Sequence, residues 1–151
     1  MVSTYSEAGV DIDASEKATE ALIAQIKGVN RKGDGEAIKL DNGFAGLVKL
    51  GDGALAMCTD GVGSKLLLAE QMDSIHTVGI DCVAMNTNDL ICVGAEPLSF
   101  VDYVALDKPD EDLMAKIGMV LAEGCKQSNC TLSGGETAIL PELVHGFDIA
   151  G

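Results

Sequence analysis

The sequence predicts an α+β domain, a mixed or antiparallel sheet with helices packed on one face. Three observations predict it. Apolar residues fill 47% of the 151 positions, enough for one core in a chain of single-domain length. Helix-like and strand-like segments follow in the order helix, two strands, two helices, strand, helix, strand, which is not strict βαβ alternation. No internal repeat or low-complexity tract interrupts that order.

The first helix begins at Asp13, where Asp13-x-x-Glu16 has the capping-box arrangement, and Ala18, Ala21, Leu22, Gln25 and Ile26 line one stripe until Gly28. Residues 30–43, rich in Gly, Asn and Asp, read as loop. Phe44 to Leu50 and Ala54 to Thr59 form a hairpin around Gly51-Asp52-Gly53. A helix runs from Ser64 to Met72, and a buried helix from Asp81 ends at Gly94, because Pro97 forbids its continuation. Leu98 to Leu106, carrying Phe100, Val101, Tyr103 and Val104, reads as a strand. The longest helix spans Asp110 to Gln127, with Leu113, Ile117, Val120 and Leu121 on one face. Cys130 to Leu132 is a short strand leading into the turn Ser133-Gly134-Gly135-Glu136, and the apolar stretch Phe147 to Gly151 reads as a strand near a domain boundary.

Composition narrows the function classes. Ten basic against 24 acidic residues leave a net charge of −14, which repels phosphate backbones and anionic membranes, and aromatics at 3% supply few rings for base stacking. Five cysteines, at 58, 82, 92, 125 and 130, lie in apolar segments without a C-x-x-C pair, so they read as buried thiols of a cytoplasmic protein. His76 and His145 are too isolated to complete a zinc set, and His145 reads as a surface residue. Cys125 and Cys130 have no nearby His to activate a nucleophile, and the six methionines read as core filler.

Glycines and carboxylates concentrate in three places: Thr59-Asp60-Gly61-Val62-Gly63-Ser64-Lys65, Asn86-Thr87-Asn88-Asp89, and Gly134-Gly135-Glu136-Thr137. Gly61 and Gly63 allow close backbone approach to an anion ahead of a helix, and Lys65 adds a point charge. Asp60 is compatible with a polyphosphate only across a divalent cation, which makes Asp60, Asp89 and Glu136 the natural Mg²⁺ set. The plainer alternatives are an ordinary strand-to-helix turn capped by Asp60, a satisfied buried Asp89, and Glu136 as the charge at a helix N-terminus. This is no Walker A loop, since Ser64 precedes Lys65 and Leu66 follows it. G-x-G-x-x-G also fails, since Gly51 and Gly53 lead to Ala56.

Taken in order, Tyr5-x-x-Ala8-Gly9-Val10-Asp11-Ile12-Asp13, Ile26-Lys27-Gly28, Gly43-Phe44-x-Gly46, the 59–65 segment, Gly79-Ile80-Asp81-x-Val83-Ala84-Met85-x-x-Asn88-Asp89, Gly94-Ala95-Glu96-Pro97, Asp102-Tyr103, Glu123-Gly124-Cys125 and Gly134-Gly135-Glu136-Thr137-Ala138 span nearly the whole chain. Together they resemble the N-terminal half of the aminoimidazole ribonucleotide synthetase (phosphoribosylformylglycinamidine cyclo-ligase) family. The resemblance implies an ATP-binding and dimerisation domain over residues 1–151, with the family's C-terminal domain lying outside this chain and the sheets of two copies joined into a barrel. It implies ATP- and Mg²⁺-dependent cyclisation of formylglycinamidine ribonucleotide in purine biosynthesis, through a phosphorylated amide oxygen. By the same resemblance Asp60, Asp89 and Glu136 face metal and polyphosphate, Lys27 and Lys65 face phosphate, and Gly61, Gly63, Ser64, Gly134 and Gly135 line the nucleotide. The chain departs from the family at Ser64, where Thr is usual. A second departure is Ile139-Leu140-Pro141, where Glu-Met-Pro is common, and the glycine-rich loop before Phe44 is abbreviated. The alternatives are a non-catalytic dimerising domain, or a related ATP-dependent enzyme such as selenophosphate synthetase, against which the 9–13 and 94–97 segments speak.

Overall fold

A computed structural model describes residues 4–40 and 43–151. Its elements in chain order are α1 (Ile12–Ile26), β1 (Ala37–Ile38), β2 (Gly46–Leu50), β3 (Gly53–Met57), α2 (Lys65–Gln71), α3 (Val78–Cys92), β4 (Ser99–Leu106), α4 (Glu111–Gln127), β5 (Thr131–Ile139) and β6 (Phe147–Ala150). The strands form two three-stranded sheets, an antiparallel β1-β2-β3 and a mixed β5-β4-β6 in which β4 and β5 run parallel across the α4 crossover. The α+β class holds. No helix among the described residues is long and apolar enough to cross a membrane.

Alternation along β4 decides which face of the mixed sheet is covered. Phe100, Val104 and Leu106 are buried, while Val101 and Tyr103 are exposed, so even-numbered positions face the helices and odd-numbered ones face outward over residues 100–104. Ile149 and Phe147 stand opposite Val104 and Leu106 and join the same core, with Val78, Cys82 and Val83 of α3 and Ile117, Leu121 and Cys125 of α4 above them. Helices α3 and α4 approach closely, because Gly79 lies against the backbone of Leu121 and Gly124 against Val83.

Several local expectations change. Helix α1 is capped by Asp11, whose extended backbone lets its carboxylate accept from Ala14 N at 3.0 Å. Asp13 therefore lies in the first turn, where its charge suits the dipole but does not cap. The stripe on α1 covers nothing here, as the helix has no buried residue. Within the expected 30–43 loop, Ala37 and Ile38 pair with Val48 and Leu47, because the hairpin offers them an open edge; residues 41 and 42 lie outside the described residues. Helix α3 starts three residues before Asp81, leaving that carboxylate in its first turn. The largest change is β5, which runs as a strand through Ser133-Gly134-Gly135-Glu136 instead of turning there, because β4 supplies a continuous parallel partner. Only Cys82 and Cys125 are buried, with Cys58 and Cys130 half-buried and Cys92 exposed; Met57, Met72 and Met119 are exposed, and among the described methionines only Met114 packs against the core.

Candidate functional site

The turn carrying Asp60 is stitched into the mixed sheet beside β6. Asp60 N donates to Gly151 O at 3.1 Å, Gly151 N returns the bond to Asp60 O at 2.9 Å, and Val62 N donates to Ile149 O at 3.1 Å. From above, Asn86 of α3 holds the same turn: its Nδ2 donates to Asp60 O at 3.3 Å and to Cys82 O at 2.9 Å, while Cys58 Sγ donates to Asn86 O at 3.1 Å. Asn86 is buried with its amide satisfied, so the turn is fixed to both sheet and helix. The Asp60 carboxylate accepts from Gly61 N at 2.8 Å, as a self-contained turn would.

Asp89 follows Asn86 along α3 and approaches the same place. Burial pushes the Cys58 thiol up, and the nearby charges of Asp89 and then Asp60 add to the effect. The charges of both carboxylates are felt at this thiol, although the three groups form no metal-binding cluster. Glu136 does not join them. Phe100 pairs with Leu132, but Val101 pairs with Gly134, so Ser133 is an extra residue in β5. Past this bulge Glu136 stands opposite Tyr103 on the outward face, whereas Asp60 lies in a row with Gly151 and Asp102 on the helix face. No group of three metal-ligating side chains forms among the described residues. Hard carboxylate oxygens at Asp60 and Asp89 suit Mg²⁺; Glu136 stands apart from them in this chain.

Gly63 takes φ +68°, which brings Ser64 to the start of α2, but the Ser64 side chain makes no capping bond. Lys65 opens α2 and pairs with Asp81 Oδ2 of α3 at 3.0 Å, a half-exposed ion pair. Lys27 is the exposed C-cap of α1 and makes no hydrogen bond or ion pair among the described residues. Gly134 and Gly135 lie in β5, where the Asp102 side chain occupies the space that a Cβ at Gly135 would need.

Asp102 is the residue that sequence reading passed over as a site candidate. It sits mid-strand on the helix face, and burial raises its carboxyl above the ordinary value. Together with burial, its charge and that of Asp60 push Cys82 up to about 12. The available signal was an Asp at an inward position of an apolar strand.

An α+β domain with a mixed sheet, helices on one face and an acidic turn sewn between them defines the class. The chain belongs to the family described as AIR synthase related protein, N-terminal domain, whose model matches residues 42–150. It is 51% identical over 148 residues to a phosphoribosylformylglycinamidine cyclo-ligase of Methanosarcina barkeri, covering 98% of this chain and 44% of that protein. Its identity to the protein of the same name from Methanocaldococcus jannaschii is 46%, over 98% and 42% of the two chains. The chain therefore spans less than half the length of these curated relatives. Among solved structures, AaThiL complexed with AMPPCP and TMP matches with a TM-score of 0.55 at 12% identity, over 88% of this chain and 38% of that one. The HypE–HypF complex matches with a TM-score of 0.55 at 24% identity, over 74% and 37%. At these identities the structures establish a shared fold.

Proposed function

We propose that this chain is the ATP-handling N-terminal half of a cyclo-ligase that closes formylglycinamidine ribonucleotide to aminoimidazole ribonucleotide in purine biosynthesis. The observation that carries the reading is identity near 50% across almost the whole chain to relatives bearing that enzyme's name. In the proposed reaction the γ-phosphoryl group of ATP passes to the amide oxygen of the substrate and ADP leaves. An amidine nitrogen then attacks the activated carbon, and the C–O bond breaks with release of phosphate. Such chemistry asks the protein mainly for positioning and charge neutralisation.

Asp60 and Asp89 would hold Mg²⁺, which when bound offsets polyphosphate charge. Glu136, on the opposite face of the sheet, stays outside this Mg²⁺ set. Lys65 and Lys27 would meet phosphate oxygens, with Gly61, Gly63, Ser64, Gly134 and Gly135 allowing close approach. Lys65 Nζ is paired with Asp81 Oδ2 at 3.0 Å while more than half of the lysine side chain stays exposed, so it remains accessible to an anion. In the full-length parent, Asp60→Asn should slow the chemical step by at least about tenfold and raise the Mg²⁺ requirement, because a metal-facing charge is lost. Unchanged Mg²⁺ dependence in steady-state assays would remove Asp60 from the site. The isolated 151-residue chain should not turn over substrate.

A two-fold homodimer belongs to the same reading. Leu55 and Met57 of β3 and Val101 and Tyr103 of β4 are exposed, a second apolar surface beyond the helix-covered one. Joining sheets would bury it, and screening of the −14 net charge should strengthen association as salt is added. Sedimentation that shows a monomer at every salt concentration would defeat the dimer.

A further inference from the structure

The corner where α4 hands over to β5 holds two cysteines on a fixed backbone frame. Ser128 N donates to Gly124 O at 3.0 Å, Asn129 N to Lys126 O at 3.3 Å and Cys130 N to Cys125 O at 3.0 Å, while Asn129 takes φ +51°. A six-to-one and a five-to-two bond around a left-handed residue make a Schellman motif, in which the first and last residues bring their side chains together. That contact is ordinarily hydrophobic. Here the two residues are Cys125 and Cys130.

Reach follows from the same bond. With standard backbone dimensions, the 3.0 Å link from Cys130 N to Cys125 O holds the two Cα atoms within about 6.9 Å even at full stretch. The path bends at both atoms, which shortens the span into the roughly 4.4–6.8 Å that a disulfide bridges. Neither end is loose, since Cys125 is buried on α4 and Thr131 N, just past Cys130, donates to Leu98 O at 3.0 Å. The two thiols also feel each other. Burial first, and then the neighbouring Cys130 thiol, push Cys125 up, ahead of the charge of Asp102 and of Cys82. Cys125 therefore keeps its proton in the core, closed to reagents in solvent. Cys130, half-buried at the edge of that core, is the sulfur an oxidant meets.

We infer that Cys125 and Cys130 are an oxidation site, a dithiol that hydrogen peroxide closes to an intramolecular disulfide and a thiol reductant reopens. The Cys130 thiolate attacks one peroxide oxygen and the O–O bond breaks. Cys130 becomes a sulfenic acid, and the departing hydroxide takes the proton that Cys130 had released and leaves as water. Cys125 Sγ then attacks Cys130 Sγ, the S–O bond breaks, and the hydroxide that leaves carries off the Cys125 proton as a second water. Two thiols lose two electrons in all, and the peroxide gains them. The bridge ties the last turn of α4 to the entry of β5 in place of a side-chain contact that the turn already makes. A pair that closes without unfolding suits transient oxidation rather than a permanent staple.

The test is peptide mapping, for which the chain carries a convenient cut: Lys126 lies between the two cysteines and no Lys or Arg follows it. Trypsin therefore separates residues 117–126 from 127–151 unless a disulfide joins them. The folded 151-residue chain with Cys92→Ser, which removes the exposed thiol that could link copies, is treated with hydrogen peroxide, alkylated and digested. The two peptides should be recovered joined and should fall apart on reduction. Recovery of both unjoined, whether alkylated or overoxidised, would overturn the inference, as would residues 117–126 joined to the peptide carrying Cys82. A second measurement uses Cys125→Ala on the same background, where a sulfenic acid at Cys130 has no partner. A cyclic diketone probe should capture it at least about tenfold more than in the chain that keeps Cys125, and equal capture would count against the pair. The readout involves no nucleotide and stands or falls apart from the proposed activity.

Discussion

The close contact of α3 with α4 gives one substitution opposite signs at two positions of the same helix pair. A Cβ placed on Gly79 would lie 2.5 Å from Leu121 N, 2.7 Å from Val120 C and 2.6 Å from Val120 Cγ2. Two of these atoms are backbone of α4 and cannot rotate away, so Gly79→Ala must push the helices apart. Overpacking of this kind costs about 1–3 kcal/mol, against ~0.5–1 kcal/mol gained by replacing a helical glycine with alanine. The net loss is up to about 2.5 kcal/mol, or a fall in Tm of up to roughly 10 °C at this chain length. Gly118, inside α4, has nothing within 4 Å of the same virtual Cβ. Gly118→Ala should therefore raise Tm by about 1–4 °C, through the propensity gain alone. Thermal melts of both variants beside the parent decide it: a Gly79→Ala protein that melts at or above the parent, or a Gly118→Ala protein that melts below it, would refute the packing argument.

Two further outcomes follow from burial. Because the Asp102 carboxyl is raised in the folded chain, its cost to stability grows as pH climbs through that raised value and is fully present at neutral pH. Asp102→Asn should then have a higher urea midpoint than the parent at pH 7, with the advantage disappearing below the ordinary value of 3.8; equal midpoints at pH 7 would contradict the desolvation. Among the thiols, Cys92 should react with a disulfide reagent within the mixing time, whereas Cys82 and Cys125, buried and each pushed up to about 12, should react only on unfolding. Labelling of Cys82 in the native protein as fast as that of Cys92 would show the core to be open.

The parts of this fold that could be read from the sequence are those fixed by neighbouring residues. The β2–β3 hairpin follows from Gly51-Asp52-Gly53 between apolar runs, and α4 from Asp110, whose carboxylate caps Leu113 N at 2.9 Å. What escaped depends on distant partners. The glycines of 133–136 read as a turn because their local preference is for one; only the β4 edge makes them a strand. Glu136 shows the same limit more sharply. Without the extra residue at Ser133 it would stand opposite Val104 on the helix face with Asp60, and the bulge, which has no marker in the apolar alternation, turns it outward. Asp60 and Lys65 were legible from their glycine neighbours, but the partners that place them, Asn86, Gly151 and Asp81, are contributed by other elements.

The reciprocal bonds between Asp60 and Gly151 also set an order of events during synthesis. The hairpin closes within residues 46–57 and can form as soon as that stretch leaves the ribosome. The Asp60 turn cannot, because its partner is translated roughly ninety residues later, about 4–18 s at ordinary elongation rates. Between the two events α3, β4, α4 and β5 must all be made and packed, so the loop that closes when Asp60 meets Gly151 encloses most of the core. The carboxylate turn is then fixed only after the elements between have been made, and an ordered Asp60 marks a chain in which they have already found their place.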